Sequence, residues 1–114
     1  MIKNTQAKDI VQEYITKLDN FEYENAKIYL SDKIKISGPA GEQFTNPDDF
    51  ITMLENFKGK YDVQKVFFDD NEVCVLYNLR TDSVVTFMSS WYKIESEKII
   101  SIKTIFDSKL FQQN

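Results

Sequence analysis

The sequence of 114 residues predicts a single α+β domain over residues 1–114, with helices packed on a curved, mainly antiparallel sheet. In the first part of the chain, apolar residues recur every three or four positions, which is the period of a helix. From residue 61 onward they alternate with polar residues, which is the period of a strand. Short polar segments separate these later runs and favour a meander of antiparallel strands.

The first predicted helix begins near Thr5 and ends at Asp19-Asn20. Its apolar face consists of Ala7, Ile10, Val11, Tyr14, Ile15 and Leu18. A second, shorter helix is predicted over residues 22–30, with Ala26, Tyr29 and Leu30 turned inward.

The third predicted helix has a clear start at Asn46, a residue that accepts hydrogen bonds well as an N-cap. Pro47 suits the first helical position, and the two aspartates that follow face the positive end of the helix dipole. Gly59 is expected to cap the other end. The apolar face of this helix consists of Phe50, Met53, Leu54 and Phe57.

Strands are predicted over residues 33–37, 61–68, 72–80, 84–94 and 98–106. The first of them stops at Gly38-Pro39-Ala40-Gly41, because proline gives a sheet no N–H donor and glycine adopts backbone angles that other residues avoid. Asp69, Asp70 and Glu72 could suggest a calcium loop, but their spacing is that of a hairpin turn.

The composition excludes several classes of function. A formal net charge of −4 and the scattering of 14 cations argue against nucleic acid and anionic membranes as partners. The sequence has no histidine and one cysteine, Cys74, which removes the usual zinc sites and histidine-based catalysis. We therefore expect neither a metal nor a cofactor. No apolar run has the length of a signal peptide or a membrane span, so a cytoplasmic location is expected.

The order of the elements resembles the NTF2-like superfamily, which includes SnoaL-like proteins and ketosteroid isomerases. The local similarity is greatest in IVQEYITKL, in the strand end before Pro39-Ala40-Gly41 and in EKIISIKTIF. The resemblance implies a cone-shaped domain, with three helices on a curved sheet and an apolar cavity between them. In the isomerases this cavity holds a basic aspartate, with a tyrosine and a protonated aspartic acid as hydrogen-bond donors to the oxyanion.

Carried over by position, this resemblance puts the family tyrosine at Tyr14 and the basic aspartate at Gly38. The protonated aspartic acid falls near Ser90. Gly38 has no side chain that could accept a proton, so the isomerase mechanism is not expected here. A hydrolase branch of the superfamily uses an Asp-Arg-Asp set, but Arg80 lies at a strand end beside a turn and is expected to be a solvated charge.

Alternation along residues 84–94 divides this strand into two faces. The phase of Ser90 places Met88 and Tyr92 beside it in the cavity, and Phe87 and Trp91 on the outer face. The predicted pocket residues are Tyr14, Leu18, Gly38, Met53, Leu54, Phe57, Met88, Ser90 and Tyr92. The outer face is expected to pair two copies of the chain as a homodimer through Phe87, Trp91, Ile99 and Ile105.

Two classes of function remain open from the sequence. The first is a non-catalytic protein that binds a small apolar ligand or another protein. The second is a SnoaL-like enzyme, of isomerase, cyclase or hydrolase type, whose acid or base group is not identified. Tyr14 itself is either a core tyrosine or a donor to a ligand oxygen.

Overall fold

The computed structural model describes residues 4–82 and 84–106, and these form three helices and one open, curved sheet of six strands. The helices are α1 (Asn4–Asp19), α2 (Tyr23–Lys27) and α3 (Pro47–Phe57). The strands are β1 (Leu30–Gly38), β2 (Gly41–Phe44), β3 (Lys60–Asp69), β4 (Glu72–Arg80), β5 (Val85–Glu95) and β6 (Lys98–Ile105). Their order in the sheet is β2-β1-β6-β5-β4-β3, and only the β1–β6 pair is parallel.

The core lies between the helices and the inner face of the sheet. The predicted apolar face of α1 is buried there, including Val11, Tyr14 and Leu18. From the sheet, Val73 and Val75 of β4 and several residues of β5 and β6 complete the core. No helix in the described part of the chain is both long and apolar enough to cross a membrane.

The start of α3 follows the sequence prediction. The side chain of Asn46 accepts a hydrogen bond of 2.9 Å from the backbone N–H of Asp49, and Pro47 is the first helical residue. The helix ends differently, because the left-handed residue that caps it is Lys58 and not Gly59. Gly59 has another role: a Cβ at this position would lie only 2.6 Å from Cδ1 of Leu79. A larger residue at position 59 would therefore push the end of the Leu79 side chain aside.

The second helix is shorter than predicted. It ends at Lys27, and Leu30, predicted as its last inward residue, instead begins β1. Leu30 lies opposite Ile99 in the parallel β1–β6 pair, and the N–H of Ile99 donates to the carbonyl of Tyr29 at 2.8 Å. Sheet pairing thus competes with the helical period at residues 28–30.

The Gly38-Pro39-Ala40-Gly41 segment is a hairpin turn into β2, a strand that the sequence pattern did not predict. Gly38 and Gly41 lie opposite each other, and Gly41 has a φ of +109° that favours glycine. Phe44 is the only large apolar residue of β2, so the strand lacks an alternating apolar pattern and depends on its pairing with β1.

Tight turns join β3 to β4 and β5 to β6, as the polar segments predicted. Asp69 pairs with Glu72, so residues 69–72 form a hairpin and the calcium-loop reading is not needed. Between β5 and β6, Ser96 and Glu97 both have positive φ, as in the hairpin turns whose twist matches that of the strands.

A β-bulge in β6 makes the prediction for Ile99 wrong. Lys93 lies opposite Ser101, but the next residue, Ile94, lies opposite Ile99, so Ile100 is inserted without a partner. A bulge shifts the alternation of faces by one residue. Ile99 is therefore fully buried in the core of its own chain, at 0% exposure, and is not on the outer face.

Candidate functional site

A cavity of about 700 Å³ lies between the inner face of the sheet, α1 and α3. This volume falls within the range of small-molecule sites. The apolar wall consists of Leu18, Ile36, Phe44, Phe50, Met53, Leu54, Phe57, Leu79, Met88, Ile102 and Phe106. The remaining wall consists of Gly38, Gly59 and the polar residues Tyr14, Ser37, Gln43, Tyr61, Tyr77, Thr81, Ser90, Tyr92 and Thr104.

The nine residues that the sequence assigned to a pocket all lie on this wall. Helix α1 contributes Tyr14 and Leu18, and α3 contributes Met53, Leu54 and Phe57. Strand β5 contributes Met88, Ser90 and Tyr92, which alternate with the outward residues Phe87 and Trp91, and Gly38 lies at the end of β1. Their role in binding a ligand stays a prediction.

Four tyrosines meet at the cavity. The rings of Tyr14 and Tyr92 are in edge-to-face contact at 6.2 Å between centroids, and those of Tyr61 and Tyr77 are tilted at 5.5 Å. Burial raises the pKa of the Tyr14, Tyr61 and Tyr92 hydroxyls well above the usual value, and repulsion between neighbouring phenolates adds to this effect. These hydroxyls are consequently neutral hydrogen-bond donors at neutral pH.

Three hydroxyl groups form a chain along the cavity wall. The Ser90 Oγ lies 2.9 Å from the Tyr77 hydroxyl and 2.9 Å from Thr104 Oγ1. Ser90 is 1% exposed, whereas Thr104 is only partly buried. Burial raises the pKa of Tyr77 to about 12, although the hydrogen bond with Ser90 opposes part of that rise.

The cavity has no charged side chain on its wall within the described residues. Its polar groups are hydroxyls and the amide of Gln43, which can donate or accept hydrogen bonds but cannot neutralise a ligand charge. Apolar surface and a few hydroxyls suit the binding of a molecule that is itself uncharged and mainly apolar.

Gly38 lies at the rim, where the resemblance put the basic aspartate of the isomerases. A Cβ at this position would lie 3.1 Å from Oε1 of Gln43, a residue of the neighbouring β2. The glycine therefore leaves room for a polar amide at this part of the wall. Arg80 is exposed at the end of β4 and does not line the cavity.

Sequence reasoning missed six polar residues of the wall, among them Tyr61, Tyr77 and Thr104. The alternation of faces along β4 and β6 could have identified two of these three residues. Tyr77 shares the phase of Val73 and Val75 in β4, and Thr104 shares that of Ile102 in β6. For Tyr61, at the start of β3, nothing in the local pattern distinguished a wall residue from a surface residue.

On the outer face of the sheet, Phe87, Trp91 and Ile105 are exposed by 56%, 39% and 71%. The indole N–H of Trp91 donates to Glu72 at 2.9 Å. The ammonium groups of Lys93 and Lys103 lie 4.9 and 5.2 Å from the centre of the Trp91 ring.

The fold is similar to that of several solved structures. An NTF2-like protein of unknown function from Cytophaga hutchinsonii is 27% identical, with 94% of this chain and 95% of that chain covered and a TM-score of 0.88. A candidate ketosteroid isomerase from Kribbella flavida is 13% identical, with coverage of 92% and 80% and a TM-score of 0.85. A candidate SnoaL-like polyketide cyclase from Jannaschia is 9% identical, with coverage of 98% and 92% and a TM-score of 0.85. No family model and no curated protein matches the sequence.

Proposed function

Because the chain belongs to the NTF2-like superfamily, we propose that it binds a small, neutral, mainly apolar molecule in the cavity between α1, α3 and the sheet. The proposed role is non-catalytic binding. The two strands at the centre of the sheet, β5 and β6, contribute Ser90, Tyr92 and Thr104 to the polar wall, so these groups are held by regular strand structure and not by loops.

The observation that carries this proposal is the absence of charge from the described part of the wall. Transfer of an ion from water into such a site is costly, because no opposite charge replaces its hydration. An apolar molecule has the opposite preference, since each Å² of apolar surface removed from water contributes about 25 cal/mol. The cavity should therefore discriminate strongly by ligand charge.

A SnoaL-like enzyme is the alternative, and the tyrosines argue against it. Proton transfer at neutral pH needs a group whose pKa lies near that of the medium. Burial moves the pKa of Tyr14 and Tyr92 in the wrong direction for a base, and the described wall has no carboxylate. These residues are suited to donating hydrogen bonds to a bound molecule.

We expect the neutral probe N-phenyl-1-naphthylamine to bind with enhanced fluorescence, and the anionic probe 1-anilinonaphthalene-8-sulfonate to bind at least about tenfold more weakly, a difference of roughly 1.4 kcal/mol. Met53→Trp should fill part of the cavity and weaken binding of the neutral probe. Thr52→Trp is the matched control, because Thr52 is the preceding residue of α3 and is exposed.

Two results would contradict the proposal. One is failure of the neutral probe to bind to the folded protein. The other is equal loss of binding in Met53→Trp and Thr52→Trp, since this would place the probe outside the cavity.

A further inference from the structure

We propose that the hydroxyl chain Tyr77–Ser90–Thr104 makes Thr104 a hydrogen-bond donor to the ligand, and that the cavity thereby selects neutral molecules with an acceptor oxygen, such as a ketone or ester carbonyl. This inference rests on the proposed function and adds the chemical class of the ligand. The test below separates failure of this inference from failure of the binding function.

The number of available protons limits the possible directions of the hydrogen bonds among the three hydroxyls. Three hydroxyls share two hydrogen bonds, so one of the three protons is left for another partner. Ser90 is almost completely buried, and a buried hydroxyl proton is nearly always used in a hydrogen bond. Ser90 therefore donates to one of Tyr77 and Thr104 and accepts from the other. Its second lone pair accepts from the Tyr92 phenol, whose pKa is raised by burial and lowered in part by the hydrogen bond with Ser90.

The chemistry of the two ends decides between the two directions. Tyr77 is a phenol, which is more acidic than an aliphatic alcohol and so is the better donor. Tyr77 then donates to Ser90, Ser90 donates to Thr104, and the Thr104 proton remains for the cavity. Hydrogen bonds in such a chain polarise one another, which strengthens the donor at the end.

The position of Thr104 fits this role. Thr104 lines the cavity, and its side chain is only partly buried on the central strand β6. Because this end of the chain is a donor without charge, a carbonyl oxygen matches it, whereas an anion would have no opposite charge on the described wall.

The test compares two molecules of nearly the same shape, 2-acetylnaphthalene and 2-isopropenylnaphthalene, which differ by C=O against C=CH₂. Each displaces N-phenyl-1-naphthylamine from the protein, and the ratio of their affinities is measured. The difference in their hydration is the same for every variant and cancels when the ratios are compared. In Thr104→Val the ratio should shift about 3- to 10-fold against the ketone, as expected for one hydrogen bond.

Two further variants test whether the shift in the affinity ratio arises from the hydroxyl of Thr104. Thr104→Ser keeps the hydroxyl and should retain the preference for the ketone. Thr86→Val is the matched control, because Thr86 is a buried threonine on the inner face of β5 that does not line the cavity. Removing the Thr86 hydroxyl should leave the ratio of the two affinities unchanged.

Tyr77→Phe tests the direction of the chain. Without the phenol, Ser90 no longer receives a proton from Tyr77, and Thr104 can donate to Ser90 instead of to the ligand. The ratio should then fall between those of the unmodified protein and Thr104→Val.

An unchanged ratio in Thr104→Val, with the probe still bound, would overturn this inference and leave the binding function intact. A ratio in Tyr77→Phe equal to that of the unmodified protein would overturn the proposed direction. If N-phenyl-1-naphthylamine does not bind to the unmodified protein, the proposed function fails, and this inference fails with it.

Discussion

Tyr77 lines the cavity and also makes the stability of the protein depend on pH, because its hydroxyl is buried and its pKa is raised to about 12. In an unfolded chain the same hydroxyl has a pKa of about 10. A raised pKa in the folded state means that the neutral form is favoured by folding. The contribution of Tyr77 to stability is therefore complete below pH 10 and is lost as the pH rises from 10 to 12.

We expect the free energy of unfolding to fall steeply over this interval, with about 3 kcal/mol of the loss due to Tyr77 from its shift of roughly two pH units. Tyr77→Phe should be less stable at pH 8, because it lacks the hydrogen bond to Ser90, and should lose less stability between pH 10 and 12. Urea denaturation of both proteins at several pH values measures this difference. Parallel curves for the two proteins would contradict the expectation.

At the scale of residues, the sequence predicted the inward face of β5 well. Alternation is a property of any strand, so a single reference residue, Ser90, correctly placed Met88 and Tyr92 on the inner face. The hydroxyl chain was not predictable in this way. It joins residues of three strands, and the distances between their oxygens depend on sheet register, which the pattern of one strand does not contain.

Among the elements, α3 shows how a local signal defines a helix start. Asn46→Ala should destabilise the protein by about 1 kcal/mol, because the N–H of Asp49 loses its acceptor. Asn46→Ser is the control, since serine is also a good N-cap and should retain most of the stability. Chemical denaturation of the three proteins provides the measurement. Equal losses in both variants would show that the cap itself does not matter.

The elements that the sequence mispredicted depend on contacts between distant segments. Residues 28–30 have a helical apolar pattern, but pairing of Leu30 with Ile99 gives a strand. The bulge at Ile100 likewise depends on the partner strand, and it reverses the expected orientation of Ile99. Local periodicity predicted where elements exist, but it could not determine where sheet pairing overrides it.

For the whole molecule, the exposed apolar residues Phe87, Trp91 and Ile105 suggest that the outer face of the sheet is covered by a second copy. Homodimerisation stays a prediction, and Ile99 is no longer part of the predicted interface because it is buried in its own chain. In a two-fold dimer, Lys93 and Lys103 beside Trp91 would face the same lysines of the second copy and repel them, unless acidic residues such as Glu72 lie opposite.

Trp91→Glu should therefore give a monomer or an aggregate at micromolar concentration, because a two-fold interface contains each residue twice. Thr16→Glu, on the exposed side of α1, is the control and should not change the assembly. Analytical ultracentrifugation of both variants and of the unmodified protein measures their assembly state. A monomeric unmodified protein throughout the micromolar range would rule out the dimer.

The parallel pairing of β1 with β6 also has a consequence for how the protein is made. A ribosome releases β1 and β2 early, but the strand that joins them to the rest of the sheet comes after α3 and three further strands. Until β6 emerges, the inward residues Ile34 and Ile36 lack the strand that covers one side of them. The nascent chain thus presents an unpaired strand edge until β6 has been made, and the sheet is completed by the last of its six strands in chain order.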